Sequence, residues 1–276
     1  MTSFYVDDFK DVYAAQDDAQ HDELGVWKPS LSIVYGLPGE EEEQDESFVG
    51  QTLAGSIIDM QDASLFYVMF SKDEERKSII DKALLDYDKS KFARLVHPVK
   101  AGTICAAKFD VDGNWYRATV ERQLHHKKHG HFYEVTFIDF GNKSEVPVRS
   151  LKAIDPSLIK YPPLAHQCSL AYIKVARVSH TFGKAAFDYF KQKLWGKNCM
   201  ISVVDEYDYQ YEVVVTPGKV EKPDEAIQAF LIQEGVASIV ESDLLPEKYD
   251  SWRDFEQEAK DEQLNIWEID GGNIDI

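Results

Sequence analysis

The sequence predicts a mixed β-barrel and α+β chain, in which a compact five-stranded barrel is inserted into a second, split domain of strands and helices. Three observations carry this prediction. Residues 101–155 break into short β segments, "GTICAAKF", "NWYRATVE", "FYEVTFIDF" and "SEVPV", separated by the turn-forming "DVDG", "HHKKHGH" and "GNK". The stretch before them offers two strands and one helix, which cannot bury a core alone, so it must join the strands and helices after residue 159. Composition supports packing throughout, with 44% hydrophobic residues and 15 Phe, 14 Tyr and 5 Trp in 276 residues.

At the start, "DAQHDELGVW" (Asp18 to Trp27) echoes "EAKDEQLNIW" (Glu258 to Trp267), each ending in a Leu-x-apolar-Trp anchor. If both close the same repeated module, residues 1–28 are the terminal helix of a preceding module and the chain is part of a longer protein. Residues 29–47 follow as a linker, marked by the acid run in "GLPGEEEEQDES". Residues 48–97 form the first part of the split domain. "QTLAGSIIDM" and "SLFYVMFSK" read as strands around a turn at Gln61–Ala63, and "DEERKSIIDKALLDYDKS" as a helix whose apolar stripe is Ile79, Ile80, Ala83, Leu84 and Tyr87. The barrel occupies 98–158. The second part of the split domain, 159–269, opens with one strand, "HQCSLAYIKV". A helix from about Ser179 or Thr181 to Gly196 follows, with Ala186, Phe187, Phe190 and Leu194 on one face. Strands "CMISVVDE" and "YQYEVVVT" come next, then a helix closed by Gly235. A last helix runs from Tyr249 to Gln263 with Trp252, Phe255 and Ala259 inward, and 270–276 is a tail.

The net charge is −19, and residues 1–50 hold 13 acids against two lysines, so the first fifty residues carry −11 of it. A generally acidic chain repels phosphate backbones, which argues against salt-driven nucleic-acid binding and favours a cationic peptide. Cys105, Cys168 and Cys199 are widely spaced without a CxxC pattern, consistent with a reducing compartment. The opening "MTSFYVDDFK" lacks a signal-peptide pattern, and no apolar run approaches about 18 residues. The expectation is a soluble intracellular protein, cytoplasmic with the nucleus as a second compartment, and with no membrane partner.

Phe109, Trp115, Tyr116, Phe137 and Phe140 sit at barrel strand ends or beside the loops 110–114 and 141–143. Two readings stand. The rings are barrel core, or they form an open-topped cage with Asn142 as its polar neighbour. A cage suits a methylated cation: ring faces attract the charge, and methyl groups add apolar surface while removing N–H donors. Phe137 and Phe140 have opposite strand parity, so both face one pocket only if the strand breaks near Asp139, which the Gly141-Asn142 turn permits.

The segments "AAKFDVDGNWYRATVE" and "VTFIDFGNKSEVPV" resemble the Tudor domain signature. The split flanks and the closing "EQEAKDEQLNIW" make the chain similar to an extended Tudor domain and, over nearly its full length, to the C-terminal part of the Tudor staphylococcal nuclease family. The resemblance implies a Tudor barrel inserted into a nuclease-like OB fold that binds symmetrically dimethylated arginine. The matching cage positions are Phe109, Tyr116, Phe137, Phe140 and Asn142. Family members often carry tyrosines where Phe137 and Phe140 stand, and the loop after Phe109, "DVDGN", is one residue longer here. Arg117 and Asp139 match a family arginine–aspartate pair expected to position strands, as a solvated pair of little energetic weight. Implied partners are proteins with dimethylated Arg/Gly-rich tails of Argonaute/Piwi or Sm type, with RNA reached through a parent protein serving RNA silencing, splicing or transcriptional coactivation.

Other chemistry is weaker. Asp110, Asp112, Asn114 and Glu121 have EF-hand spacing, but Trp115 stands where the calcium loop needs glycine. His125, His126, His129 and His131 surround Lys127, Lys128 and Gly130, as expected of a solvated hairpin tip, the most basic local patch and the candidate for a modest RNA contact. Neither a metal nor a cofactor is expected. A nuclease needs arginines beside preorganised carboxylates. The seven arginines, at 76, 94, 117, 122, 149, 177 and 253, form no such set in the sequence, so no catalysis is expected of this region. Because residues 101–155 hold 8 basic and 7 acidic side chains, acidic lining for a cationic peptide is expected from the flanking domain, with "VVDEYDYQYE" (Val203 to Glu212) as candidate.

Overall fold

The computed structural model describes residues 47–85, 87–126, 130–179, 181–240 and 245–268. The expected helix at 1–28, its echo with residues 258–267, nearly all of the 29–47 linker, the tail at 270–276 and His129 at the hairpin tip lie outside the described residues.

The host domain is a closed five-stranded barrel. Its strands are β1 (Thr52–Asp62), β2 (Leu65–Phe70), β8 (His166–Leu170), β10 (Asn198–Tyr207) and β11 (Gln210–Pro217), hydrogen-bonded in the order β1-β10-β11-β8-β2. Only the β8–β11 ladder is parallel, with Gln167 opposite Gln210. The β1–β2 hairpin turns at Asp62, whose Oδ1 accepts from the Ser64 N–H (2.8 Å) and hydroxyl (2.7 Å). Two residues, Ala171 and Tyr172, separate the two halves of the segment read as "HQCSLAYIKV". Tyr172 has φ +68°, so the chain leaves the barrel after β8 and re-enters as β9 (Ile173–Val175), paired with β12 (Ala237–Ile239) in a separate two-stranded sheet.

Helix α3 (Thr181–Leu194) closes one end of the host barrel, burying Ala186, Phe190 and Leu194, while Phe187 is only half-buried. The Phe190 ring lies 4.9 Å from that of Phe66 on β2. Helix α4 (Ile227–Gln233) is tied to β11 by a buried amide: Gln228 Nε2 donates to the Val213 carbonyl (2.8 Å), and its Oε1 accepts from the Val215 N–H (3.3 Å). Helix α5 (Ser251–Asp261) presents Trp252 and Ala259 to the core.

Between β2 and β8 the chain builds a second sheet from β3 (Ile104–Lys108), β4 (Trp115–His126), β5 (Gly130–Phe137), β6 (Lys143–Pro147) and β7 (Leu151–Ala153), in the order β6-β5-β4-β3-β7. Every ladder is antiparallel, and the sheet wraps a core of Cys105, Ala107, Ala118, Val120, Tyr133, Val135, Phe137, Val146 and Leu151. Strand alternation sends Ala106 and Trp115 to the opposite face, which is also covered. They pack with Ile80 and Leu84 of α1 (Glu74–Leu84), Tyr87, Ile154, Leu158 of the short α2 (Pro156–Ile159) and Leu164. This shared cluster joins insert to host. The helix is shorter than its sequence pattern. Ile79 and Ala83 are exposed, Leu85 is already extended, and Tyr87 sits in a separate 3-10 turn, because the covering surface is a narrow strip met only at i, i+4.

Candidate functional site

The rim of the inserted barrel gathers the aromatic residues. Phe109 follows β3 in a loop closed on itself: its N–H donates to the Asn114 carbonyl and its carbonyl accepts from Gly113 N–H, both at 2.9 Å. Tyr116, on the second position of β4 and paired with Ala107, is thereby brought beside the Phe109 ring. Strand β5 ends at Phe137, and the next residues coil back, with Phe140 and Gly141 N–H groups donating to the Phe137 carbonyl at 3.0 and 2.7 Å. That turn resolves the parity conflict, because it carries Phe140 round to the side where Phe137 points.

The four rings meet edge to face. Centroids are 5.3 Å apart for Phe109–Phe137, 5.9 Å for Tyr116–Phe137, 5.0 Å for Tyr116–Phe140 and 6.4 Å for Phe109–Tyr116, with interplanar angles from 72° to 85°. In each edge-to-face pair the edge of one ring meets one face of the other, which leaves the opposite face as π surface for a cation. Phe137 is only 1% exposed and forms a floor; Phe109, Tyr116, Phe140 and Asn142 are half-buried walls open to the outside. Among the described residues the Asn142 side-chain amide makes no hydrogen bond, although its backbone carbonyl accepts from Phe137 N–H at 2.9 Å. Trp115, one residue before Tyr116, faces α1 and belongs to the joining cluster rather than to this group.

The Tyr116 hydroxyl donates to Asp112 Oδ2 at 2.6 Å, which fixes the ring edge. Burial, then this contact with a carboxylate, raises the tyrosine pKa. At Asp112 burial pushes the pKa up, but the Tyr116 hydroxyl and the Asn114 N–H groups together hold it below the usual carboxylate range. Asp112 thus has a structural duty in the loop. Glu121 accepts from Thr136 Oγ1 (2.9 Å) on the neighbouring strand. Among the described residues, no group of three His, Cys, Asp or Glu side chains is placed to hold a metal ion. His131 stacks on His97 at 3.6 Å and 3°, and His97 Nδ1 in turn lies 2.6 Å from the Tyr133 hydroxyl.

Arg117 and Asp139 lie behind the turn, and the expected solvated pair is in fact buried, with side-chain exposures of 0% and 4%. The guanidinium makes a fork to the carboxylate (Nε–Oδ2 2.8 Å, Nη2–Oδ1 2.5 Å) and donates to the carbonyls of Leu158, Tyr161 and Pro162. The chain crossing from insert back to host wraps over this pair and excludes water from it.

The sequence reading missed the host's contribution. Tyr67 of β2 lies flat against Gly141, where an added Cβ would stand 2.2 Å from the Tyr67 ring, and Gly141 has φ +89°. Only glycine serves there. Burial, then the nearby charges of Asp59 and Glu121, raises the pKa of Tyr67, the ring that abuts the Gly141 turn. The acidic neighbours of this region are therefore Asp59, Asp81, Asp112 and Glu121, two of them in the insert. Asp205 and Glu212, from the segment expected to supply acidity, act instead on Tyr172. No local pattern marks Tyr67, since its role depends on the approach of two domains.

Known proteins share this architecture. The family model described as "Tudor domain" matches residues 49–172, and that described as "Staphylococcal nuclease homologue" matches 159–269. The chain is 28% identical to Ribonuclease TUDOR 1 of Arabidopsis thaliana over 97% of its own length, and spans 29% of that relative's length. Among solved structures, the extended Tudor domain TD3 of mouse TDRD1, in complex with a MILI peptide containing dimethylarginine 45, aligns with TM-score 0.62 and 27% identity, covering 73% of this chain and all of that one. The extended Tudor domain of Drosophila melanogaster Tudor-SN (p100) aligns with TM-score 0.67 and 19% identity, covering 79% of this chain and 99% of that one, and shows a shared fold. A closed OB-type barrel split by a five-stranded insert, matched by both domain models across residues 49–269, makes this chain a Tudor-SN-like extended Tudor region.

Proposed function

We propose that this region is a methylarginine reader, whose cage of Phe109, Tyr116, Phe137, Phe140 and Asn142 takes a symmetrically dimethylated arginine from an Arg/Gly-rich tail. The observation that carries it is the set of four edge-to-face rings with one buried floor and three accessible walls. Symmetric dimethylation leaves one N–H on each terminal guanidinium nitrogen, which an Asn142 carbonyl oxygen can accept while methyl groups lie on the ring faces. The carboxylates around Tyr67 and Tyr116 favour a cationic peptide over an anionic one. The mouse TDRD1 relative, solved with a dimethylarginine peptide, supports the same ligand class here. Its parent protein would dock tails of the Piwi or Sm type in the cytoplasm or nucleus.

Catalysis is not part of the proposal. Three of the host's four arginines are engaged elsewhere: Arg76 pairs with Asp73, Arg253 with Asp250, and Arg94 donates to the Arg149 carbonyl. Among the described residues none of these three stands with a carboxylate set able to hold a metal ion and stabilise phosphoryl charge.

Calorimetric titration with one Arg/Gly peptide in symmetric, asymmetric and unmodified forms tests the reading. The symmetric form should bind tightest. Equal affinity for all three, or preference for a single-stranded RNA added instead, would overturn it.

A further inference from the structure

A cation already stands at the cage. Lys77 Nζ on α1 lies 5.3 Å from the centroid of the Phe140 ring, inside the range of a cation–π contact. It is held by Asp81 one turn on, Nζ to Oδ2 2.5 Å, with side chains 28% and 44% exposed. Two helix rules disfavour a lysine here. Lys77 is in the first turns of α1, where the macrodipole repels cations, and a lysine preceding its acid at i, i+4 is the weaker order. The helix gains little from a lysine at this position, and the face of Phe140 is a second partner for its ammonium beside Asp81.

We propose that Lys77 is a specificity-determining residue of the cage, an internal ammonium that competes with the ligand's guanidinium for Phe140 and must be displaced on binding. The inference rests on the methylarginine reading of the same site. A hydrated, unmodified arginine regains little by displacing one cation with another. A methylated guanidinium also brings apolar surface to the rings, so it tolerates the exchange better. Asp81 keeps the displaced lysine close by, which makes the exchange reversible and local.

The test compares wild type, Lys77→Met and Lys77→Arg by calorimetry with symmetrically dimethylated and unmodified peptides, at low and high salt. Met keeps the apolar stem of a half-exposed side chain; Lys77→Gln serves as a second neutral variant, and circular dichroism checks the fold. Neutral variants should bind both peptides about threefold to tenfold tighter at low salt, with proportionally more gain for the unmodified one. The gain should shrink at high salt, and Lys77→Arg should stay near wild type. In the free protein, the Lys77 Hε protons should be shifted upfield by the ring and return towards ordinary values when peptide is added. Wild-type binding with no gain in Lys77→Met and Lys77→Gln would overturn this inference and leave the cage reading intact. Absence of peptide binding by every form would overturn both.

Discussion

Arg117 Nη2 sits 2.5 Å from Asp139 Oδ1 with both side chains out of solvent, directly behind the turn that carries Phe140. Five acceptor contacts saturate the guanidinium, so the pair links β4, the cage turn and the crossover segment at 158–162. Removing one partner leaves the other charge buried without compensation. Asp139→Asn or Arg117→Met should each cost about 3–5 kcal/mol in urea unfolding. Arg117→Lys should recover little, because a single ammonium cannot reproduce the fork. A loss below about 1 kcal/mol would mean that water reaches the pair.

The floor and the walls of the cage should respond differently to truncation. Phe137 is 1% exposed and packed in the insert core, so Phe137→Ala should destabilise by about 3–5 kcal/mol and lose binding through the fold. Phe140 is half-buried at the rim, so Phe140→Ala should abolish binding of a symmetrically dimethylated peptide while the melting temperature moves little. Unchanged calorimetric affinity in folded Phe140→Ala would remove Phe140 from the site.

Gly141 couples the insert to the host through Tyr67. Gly141→Ala meets both a left-handed backbone and the tyrosine ring, and should weaken peptide binding and lower stability together. Adding Tyr67→Ala removes the steric part alone, so the double variant should regain some stability relative to the sum of the single changes. Strict additivity in denaturant titrations would show that the ring contact carries no strain.

Acid sensitivity should trace to His166 of β8, whose ring lies among those of Phe48, Phe70 and Tyr211 at 4.9–5.9 Å. Burial, with a smaller push from Lys72, takes its pKa from 6.5 down to about 4. Between those values the unfolded chain binds a proton that the folded chain refuses, so stability rises with pH across that window and is lost as pH falls. The loss from this group is about 3 kcal/mol between pH 6.5 and 4. His166→Gln should flatten that part of the stability–pH curve; an unaltered slope would place the acid sensitivity elsewhere.

The sequence by itself determined the strands of the insert, the turn at Gly141-Asn142 and the aromatic positions, because strand periodicity and turn chemistry are local properties that survive without context. It also marked the flanks as halves of one domain, since neither could bury a core. Tertiary structure decided the rest. Trp115 and Tyr116 look alike as neighbours, and only the position of α1 sends one into the joining cluster and the other to the rim. Arg117 and Asp139 read as a surface pair until the crossover segment covers them. Tyr67 and Lys77 carried no signal at all, because a contact between residues some seventy positions apart in the chain depends on how two domains approach, and no local pattern encodes that distance.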